Sequence, residues 1–126
     1  MRDTSSVPRL ARILVIEDDR AIRDLFRGVL GDEGYELVFV DRLEEAMDTA
    51  PDLVITDLMD VHPYKGGAAR AWVTRVKGRY PVTPIIVCTA YEQATEELDR
   101  LGGEAVLVKP FNIDILVDTV TRLAGH

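Results

Sequence analysis

The chain has little of what several protein classes require. It carries one cysteine, Cys88, which rules out an internal disulfide framework and fits a reducing cytoplasm. No apolar run approaches the roughly 18 residues that a membrane-spanning helix needs. The opening stretch MRDTSSVPRL lacks the apolar core of a signal peptide. It reads as a short disordered tail over residues 1–8, with the folded domain expected over 9–126. Positive charge is in deficit: 15 Lys and Arg against 22 Asp and Glu leave a net charge of −7. That balance argues against nucleic acid or an anionic membrane as a direct partner, because both call for a basic face. No glycine-rich loop follows the first apolar run, which weakens any case for nucleotide binding. Internal repeats and low-complexity segments are absent too.

What remains is a chain of 126 residues, enough for a single domain, with an ordinary apolar content of 47%. Short apolar runs alternate with amphipathic stretches. Arg12–Ile16 is a run rich in β-branched residues and unbroken in its apolar part, as expected of a strand covered on both faces. Ile22, Leu25, Phe26, Val29 and Leu30 then follow at helical spacing, with Asp18 or Asp19 placed to cap the start and Gly34 to end the helix. Tyr35–Val40 reads as a second strand and Arg42–Ala50 as a short helix with Leu43, Ala46 and Met47 inward, stopped by Pro51. Leu53–Thr56 is a third strand that delivers Asp57 at its end. A third helix is expected over about Ala68–Lys77, with Ala69, Trp72, Val73 and Val76 inside. Pro84–Thr89 is a fourth strand, Glu92–Leu101 a fourth helix stopped by Gly102 and Gly103, and Ala105–Lys109 a fifth strand. Asn112 can cap a last helix whose apolar face is Ile113, Leu116, Val117, Val120 and Leu123.

Five βα units in succession imply an α/β fold: a doubly wound, five-stranded parallel sheet with helices on both faces. In such sheets ligands bind beyond the carboxyl ends of the strands. Those ends carry Glu17 and Asp18, then Asp57, Thr89 and Lys109. Carboxylates gathered at one edge repel, so either they take up protons or a cation neutralises them. A hard divalent ion with oxygen ligands answers this economically, and Mg²⁺ suits a site that keeps several waters. With the Thr89 hydroxyl and the Lys109 charge, the set suits a phosphoryl group on a carboxylate. Each part alone has a plainer reading. An acidic pair after a strand is often a helix cap, a lone Asp a turn residue, and Lys-Pro-Phe a loop. The joint occurrence, in this order and each at a strand end, is what carries weight.

Taken together, ILVIEDD, PDLVITDLM, PIIVCTA and GGEAVLVKPF resemble the motifs of the receiver domain of two-component response regulators, over roughly Arg9 to Leu123. The resemblance implies a flavodoxin-like (βα)5 fold. It implies Asp57 as phosphoacceptor, Asp18 as a direct Mg²⁺ ligand, Glu17 as a ligand through water, and the backbone carbonyl of Met59 as the third protein ligand. It also implies that Thr89 donates its hydroxyl to the phosphoryl group, that Lys109 pairs with it, and that Lys109–Pro110 is cis. Asp19 is left as a cap. The implied donor is a sensor histidine kinase or a phosphotransfer protein, and the implied output is a switched contact with a further protein. The expected chemistry is self-phosphorylation and slow self-dephosphorylation in the cytoplasm, with no external substrate.

The chain departs from that pattern in places. The Pro and Gly expected after the aspartate stand two residues late, at Pro63 and Gly67, so a two-residue insertion within Asp60–His62 is expected. His62 is read as an exposed loop residue rather than a ligand. The stretch from Thr89 to Lys109 is about two residues short, and its helix carries Glu92, Glu96, Glu97 and Asp99, either a solvated face or a docking surface for a basic partner. Val106 stands where many receivers have an aromatic ring, which directs attention to Tyr91 as the residue that shields a phosphoryl group. Three other readings compete: a phosphate-independent interaction module of the same fold, a receiver segment of a larger hybrid kinase, and an aspartyl phosphatase. The phosphatase would need a second acid where Met59 stands.

Overall fold

The computed structural model describes residues 11–46, 50–58, 65–96 and 102–124. The tail expected over residues 1–8, together with Met47, Met59, Asp60, His62, Glu97 and Asp99, lies outside the described residues.

Five strands form one parallel sheet: β1 (Arg12–Ile16), β2 (Glu36–Val40), β3 (Leu53–Thr56), β4 (Ile85–Thr89) and β5 (Ala105–Val108), in the spatial order β2-β1-β3-β4-β5. The order reverses between β1 and β3, and the crevice beyond their carboxyl ends is where such sheets bind ligands. Glu17 and Asp57 follow directly from these two strands, whose last residues, Ile16 and Thr56, are register partners.

β1 lies inside the sheet, between β2 and β3, and Ile13 to Ile16 are completely buried. Because side chains alternate across a strand, Leu14 and Ile16 enter one core while Ile13 and Val15 enter the other. Helix α1 (Arg20–Asp32) and helix α4 (Ile113–Ala124) cover the second face through Phe26, Leu30, Leu116 and Val120. Helix α2 (Gly66–Arg79) covers the first through Ala69, Trp72, Val73 and Val76, and the short α3 (Gln93–Glu96) adds Ala94. Full burial of each large aliphatic side chain contributes about 1.5–3 kcal/mol.

The boundaries follow from local chemistry. Asp19 caps α1 by accepting the Ile22 N–H. Gly34, at φ 94°, ends it: the Gly34 N–H reaches the Gly31 carbonyl and the Tyr35 N–H the Leu30 carbonyl, the paired bonds of a left-handed helix stop. Tyr35 is thereby spent on the cap, so β2 starts at Glu36 rather than Tyr35. Asn112 caps α4 through the Ile115 N–H.

Two expectations need correction. The helix expected over Arg42–Ala50 is, within its described part, one 3-10 turn, Leu43–Glu45, after which Ala46 is extended. Leu43 and Ala46 do point inward, but an i, i+3 pair suits a 3-10 turn as well as an α-helix. On α4, Ile113 is 46% exposed, and Thr119 takes a buried position instead. Its hydroxyl is satisfied by the Ile115 carbonyl, so the polar residue can face inward.

Candidate functional site

The first acid, Glu17, is held at both ends of its backbone. Its N–H donates to the Val40 carbonyl at the end of β2. Its carbonyl accepts from Arg23 Nε, one turn into α1, and the same guanidinium binds Asp41, at 2.6 Å. Both anchors lie where β2 ends. The side chain is only 2% exposed. One carboxylate oxygen accepts from the Asp19 N–H, and the other accepts from Lys109 Nζ at 2.8 Å.

Asp57 is held in the same manner. Its N–H donates to the Ile16 carbonyl, and its own carbonyl accepts from the Thr56 hydroxyl at 2.7 Å. Its carboxylate is 27% exposed and stands 3.6 Å from Lys109 Nζ. Asp18 is exposed beside it, and carboxylate oxygens of Glu17, Asp18 and Asp57 all lie within 4.8 Å of one another. Among the described residues this is the one group of acids, histidines or cysteines close enough to hold a metal ion. Three hard oxygen donors, one buried and two reachable from solvent, fit Mg²⁺, which binds few carboxylates and keeps water.

Thr89 ends β4 with 1% exposure. Its carbonyl accepts the Lys109 N–H at 2.7 Å, which ties the two strand ends together, and its hydroxyl accepts the Tyr91 N–H at 3.1 Å. The hydroxyl hydrogen is therefore available to another acceptor. Lys109 follows β5, and the Lys109–Pro110 bond is cis. Burial of Lys109 acts to lower its pKa, but the Glu17 hydrogen bond and the charges of Asp57 and Glu17 outweigh it and raise the value above the ordinary one. The lysine is therefore a fixed cation at neutral pH.

The structure thus brings Glu17, Asp18, Asp57 and Lys109 together, with Thr89 bonded to Lys109. Met59 and His62 fall outside the described residues. Beyond Lys109 a cleft of about 770 Å³ opens between α3 and β5, lined in part by Glu92, Glu96 and Val108. Arg23, Thr56 and Trp72 also support this site, although in the sequence Thr56 and Trp72 stand out only as a strand end and a core position. Thr56 had a visible signal, a hydroxyl at the end of an otherwise apolar strand and next to Asp57. Arg23 had a weaker one, a cation one helical turn after Asp19.

Known proteins resemble this chain in sequence and in fold. The family model of the response regulator receiver domain matches residues 13–121. The response regulator protein FleR of Pseudomonas aeruginosa is 37% identical over 90% of this chain, which spans 24% of FleR. The transcriptional regulatory protein PdtaR of Mycobacterium tuberculosis is 36% identical over 92% of this chain, which spans 57% of PdtaR. Among solved structures, the chemotaxis response regulator CheY4 of Vibrio cholerae superposes with a TM-score of 0.70 at 27% identity, covering 91% of this chain and 99% of its own. The response regulator TrrA of Thermotoga maritima, solved in complex with Mg²⁺-BeF, gives 0.71 at 30% identity, covering 90% of this chain and 99% of its own. This chain belongs to the response regulator receiver domain family of two-component systems.

Proposed function

We propose that this domain accepts a phosphoryl group on Asp57 from a histidine kinase or phosphotransfer protein, and that the modification switches its binding to an output protein. The observation that carries the reading is the packing of Glu17, Asp18 and Asp57 oxygens within 4.8 Å beside the Lys109 cation. An Asp57 carboxylate oxygen attacks the phosphorus of a phosphohistidine. The new bond is O–P, the bond broken is P–N, and the imidazole leaves with its electron pair and takes a proton. Lys109 offsets the charge on the phosphoryl oxygens, and Thr89 donates its hydroxyl to one of them. Glu17, Asp18 and Asp57, with the Met59 carbonyl, would hold Mg²⁺. When bound, the ion supplies positive charge that neutralises the carboxylates and the incoming phosphoryl oxygens. The domain is a switch that also hydrolyses its own acyl phosphate, and its sparing use of cysteine, Cys88 alone, is in keeping with a cytoplasmic setting.

The test is incubation with acetyl phosphate and Mg²⁺ followed by the intact mass. The wild-type chain should gain one phosphoryl group and Asp57→Asn none. Labelling of that variant at another residue would overturn the assignment. An unlabelled wild-type chain would favour the phosphate-independent module.

A further inference from the structure

Trp72 is the one tryptophan of the chain. It lies on α2, is 7% exposed, and belongs to the core against that face of the sheet. Its indole Nε1–H donates to Thr56 Oγ1 at 2.9 Å, and Thr56 is completely buried. An indole can only donate, so the Thr56 oxygen must be the acceptor there. A hydroxyl has one hydrogen, and that hydrogen points to the Asp57 carbonyl at 2.7 Å. The direction of both bonds is therefore determined. The Arg75 guanidinium covers the outer side of the indole, 5.2 Å from the ring, and is itself held by Glu44 at 2.8 Å.

This link does something that core packing alone does not require. A valine and a phenylalanine would fill the same space with no polar atoms to satisfy. The bonds instead set the plane of the peptide that leaves Asp57. The N–H of Asp57 is already bound to β1. With its carbonyl fixed as well, the backbone on both sides of the Asp57 Cα is pinned, and the carboxylate has a restricted set of directions.

We propose that Thr56 and Trp72 are positioning residues for Asp57, acting through one hydrogen-bonded line from α2 to the Asp57 carbonyl. The inference rests on the reading of Asp57 as the acceptor. It adds that the acceptor's aim depends on two buried side chains that touch neither the phosphoryl group nor the metal. The same line makes the indole sensitive to changes at the acid cluster.

The experiment compares Thr56→Val, Thr56→Ser and Trp72→Phe with the wild-type chain. Single-turnover phosphorylation by acetyl phosphate is measured across donor concentrations, alongside the urea midpoint and the Trp72 emission on adding Mg²⁺. A lost hydrogen bond corresponds to roughly three- to tenfold in rate. Thr56→Val and Trp72→Phe should slow the maximal rate by that factor with the donor concentration at half-maximal rate unchanged. Thr56→Ser, which keeps the hydroxyl, should restore most of the rate. Mg²⁺ should shift the wild-type emission, and Thr56→Val should reduce the shift. If Thr56→Val unfolds, the Ser and Phe variants still decide, since only the Phe variant should be slow. A purely structural link predicts altered urea midpoints with unchanged rates and unchanged emission response, and that result would overturn the proposal. Should the wild-type chain take no phosphoryl group, the reading of Asp57 fails separately. The emission arm then decides alone, and an unresponsive wild-type indole defeats the link as well.

Discussion

Lys109 Nζ lies 2.8 Å from Glu17 Oε1 but 3.6 Å from Asp57 Oδ1. The lysine is thus first a partner of the buried acid and second a neighbour of the exposed one. Removing it would strand the Glu17 carboxylate, which is 2% exposed, without its cation. Lys109→Met should lower stability by about 2–4 kcal/mol in the absence of metal. Mg²⁺ should recover more stability in this variant than in the wild-type chain, because it supplies the missing positive charge. Urea unfolding with and without Mg²⁺ measures both, and equal metal responses would contradict the account.

Asp18 should show the opposite sign. It is exposed and adds a negative charge beside Glu17 and Asp57. Asp18→Ala should raise the melting temperature of the metal-free domain and abolish the further rise on adding Mg²⁺. A variant that still responds fully would put the ion elsewhere. Differential scanning calorimetry resolves the two effects.

Arg23 grips the Glu17 carbonyl while paired with Asp41. Asp41 is 65% exposed, so solvent screens the ion pair and the loss of stability in Arg23→Ala should be only about 1 kcal/mol. The larger effect should be a Mg²⁺ affinity several-fold weaker, read by isothermal titration. Arg23→Lys keeps the charge but not the planar fork that spans both acceptors, and it should recover little.

Tyr91 and Val106 test how the modified state is protected. The Tyr91 N–H binds the Thr89 hydroxyl oxygen, whereas Val106 packs against the core on the α2 side. Tyr91→Ala should change the self-dephosphorylation rate several-fold. Val106→Ala should leave that rate nearly as it was and cost about 1 kcal/mol in packing. The two rates follow from loss of phosphoryl mass with time, and the reverse pattern would discard Tyr91 as the shield.

Cys88 gives a pH signature. Burial raises its thiol pKa from 9.0 to about 12, with Lys109 opposing and Glu17 and Asp57 adding to the rise. The unfolded chain ionises first as pH climbs. The stabilisation is therefore complete below 9.0 and is lost as pH rises toward about 12. The pKa of Lys109 is raised as well, so its contribution fades in the same direction. Urea midpoints should fall across this alkaline range. Near neutral pH a thiol reagent should label Cys88 no faster than the domain opens, and prompt labelling would show the thiol to be accessible.

Much of this was legible in the residues themselves. Runs such as Ile13–Ile16 and Leu53–Thr56 announce buried strands because continuous β-branched and apolar residues suit a sheet covered on both sides. Asp19, Gly34 and Asn112 mark helix ends because capping is chemistry within a few residues. The acids and the lysine stood out because each follows a strand, and a parallel sheet brings all such ends to one edge. Other features were not legible. Leu43 and Ala46 could not distinguish a 3-10 turn from an α-helix, and Ile113 matched a helical stripe without being needed in the core. Periodicity, caps and strand ends are local properties, so the residues alone specify the run of strands and helices and the acids, threonine and lysine that follow the strands. That Lys109 serves Glu17 before Asp57, that Arg23 holds the Glu17 carbonyl, and that Trp72 reaches Thr56 depend on the folded arrangement. Those pairings join residues on different elements, and their partners are selected by distance and direction after the helices have packed on the sheet.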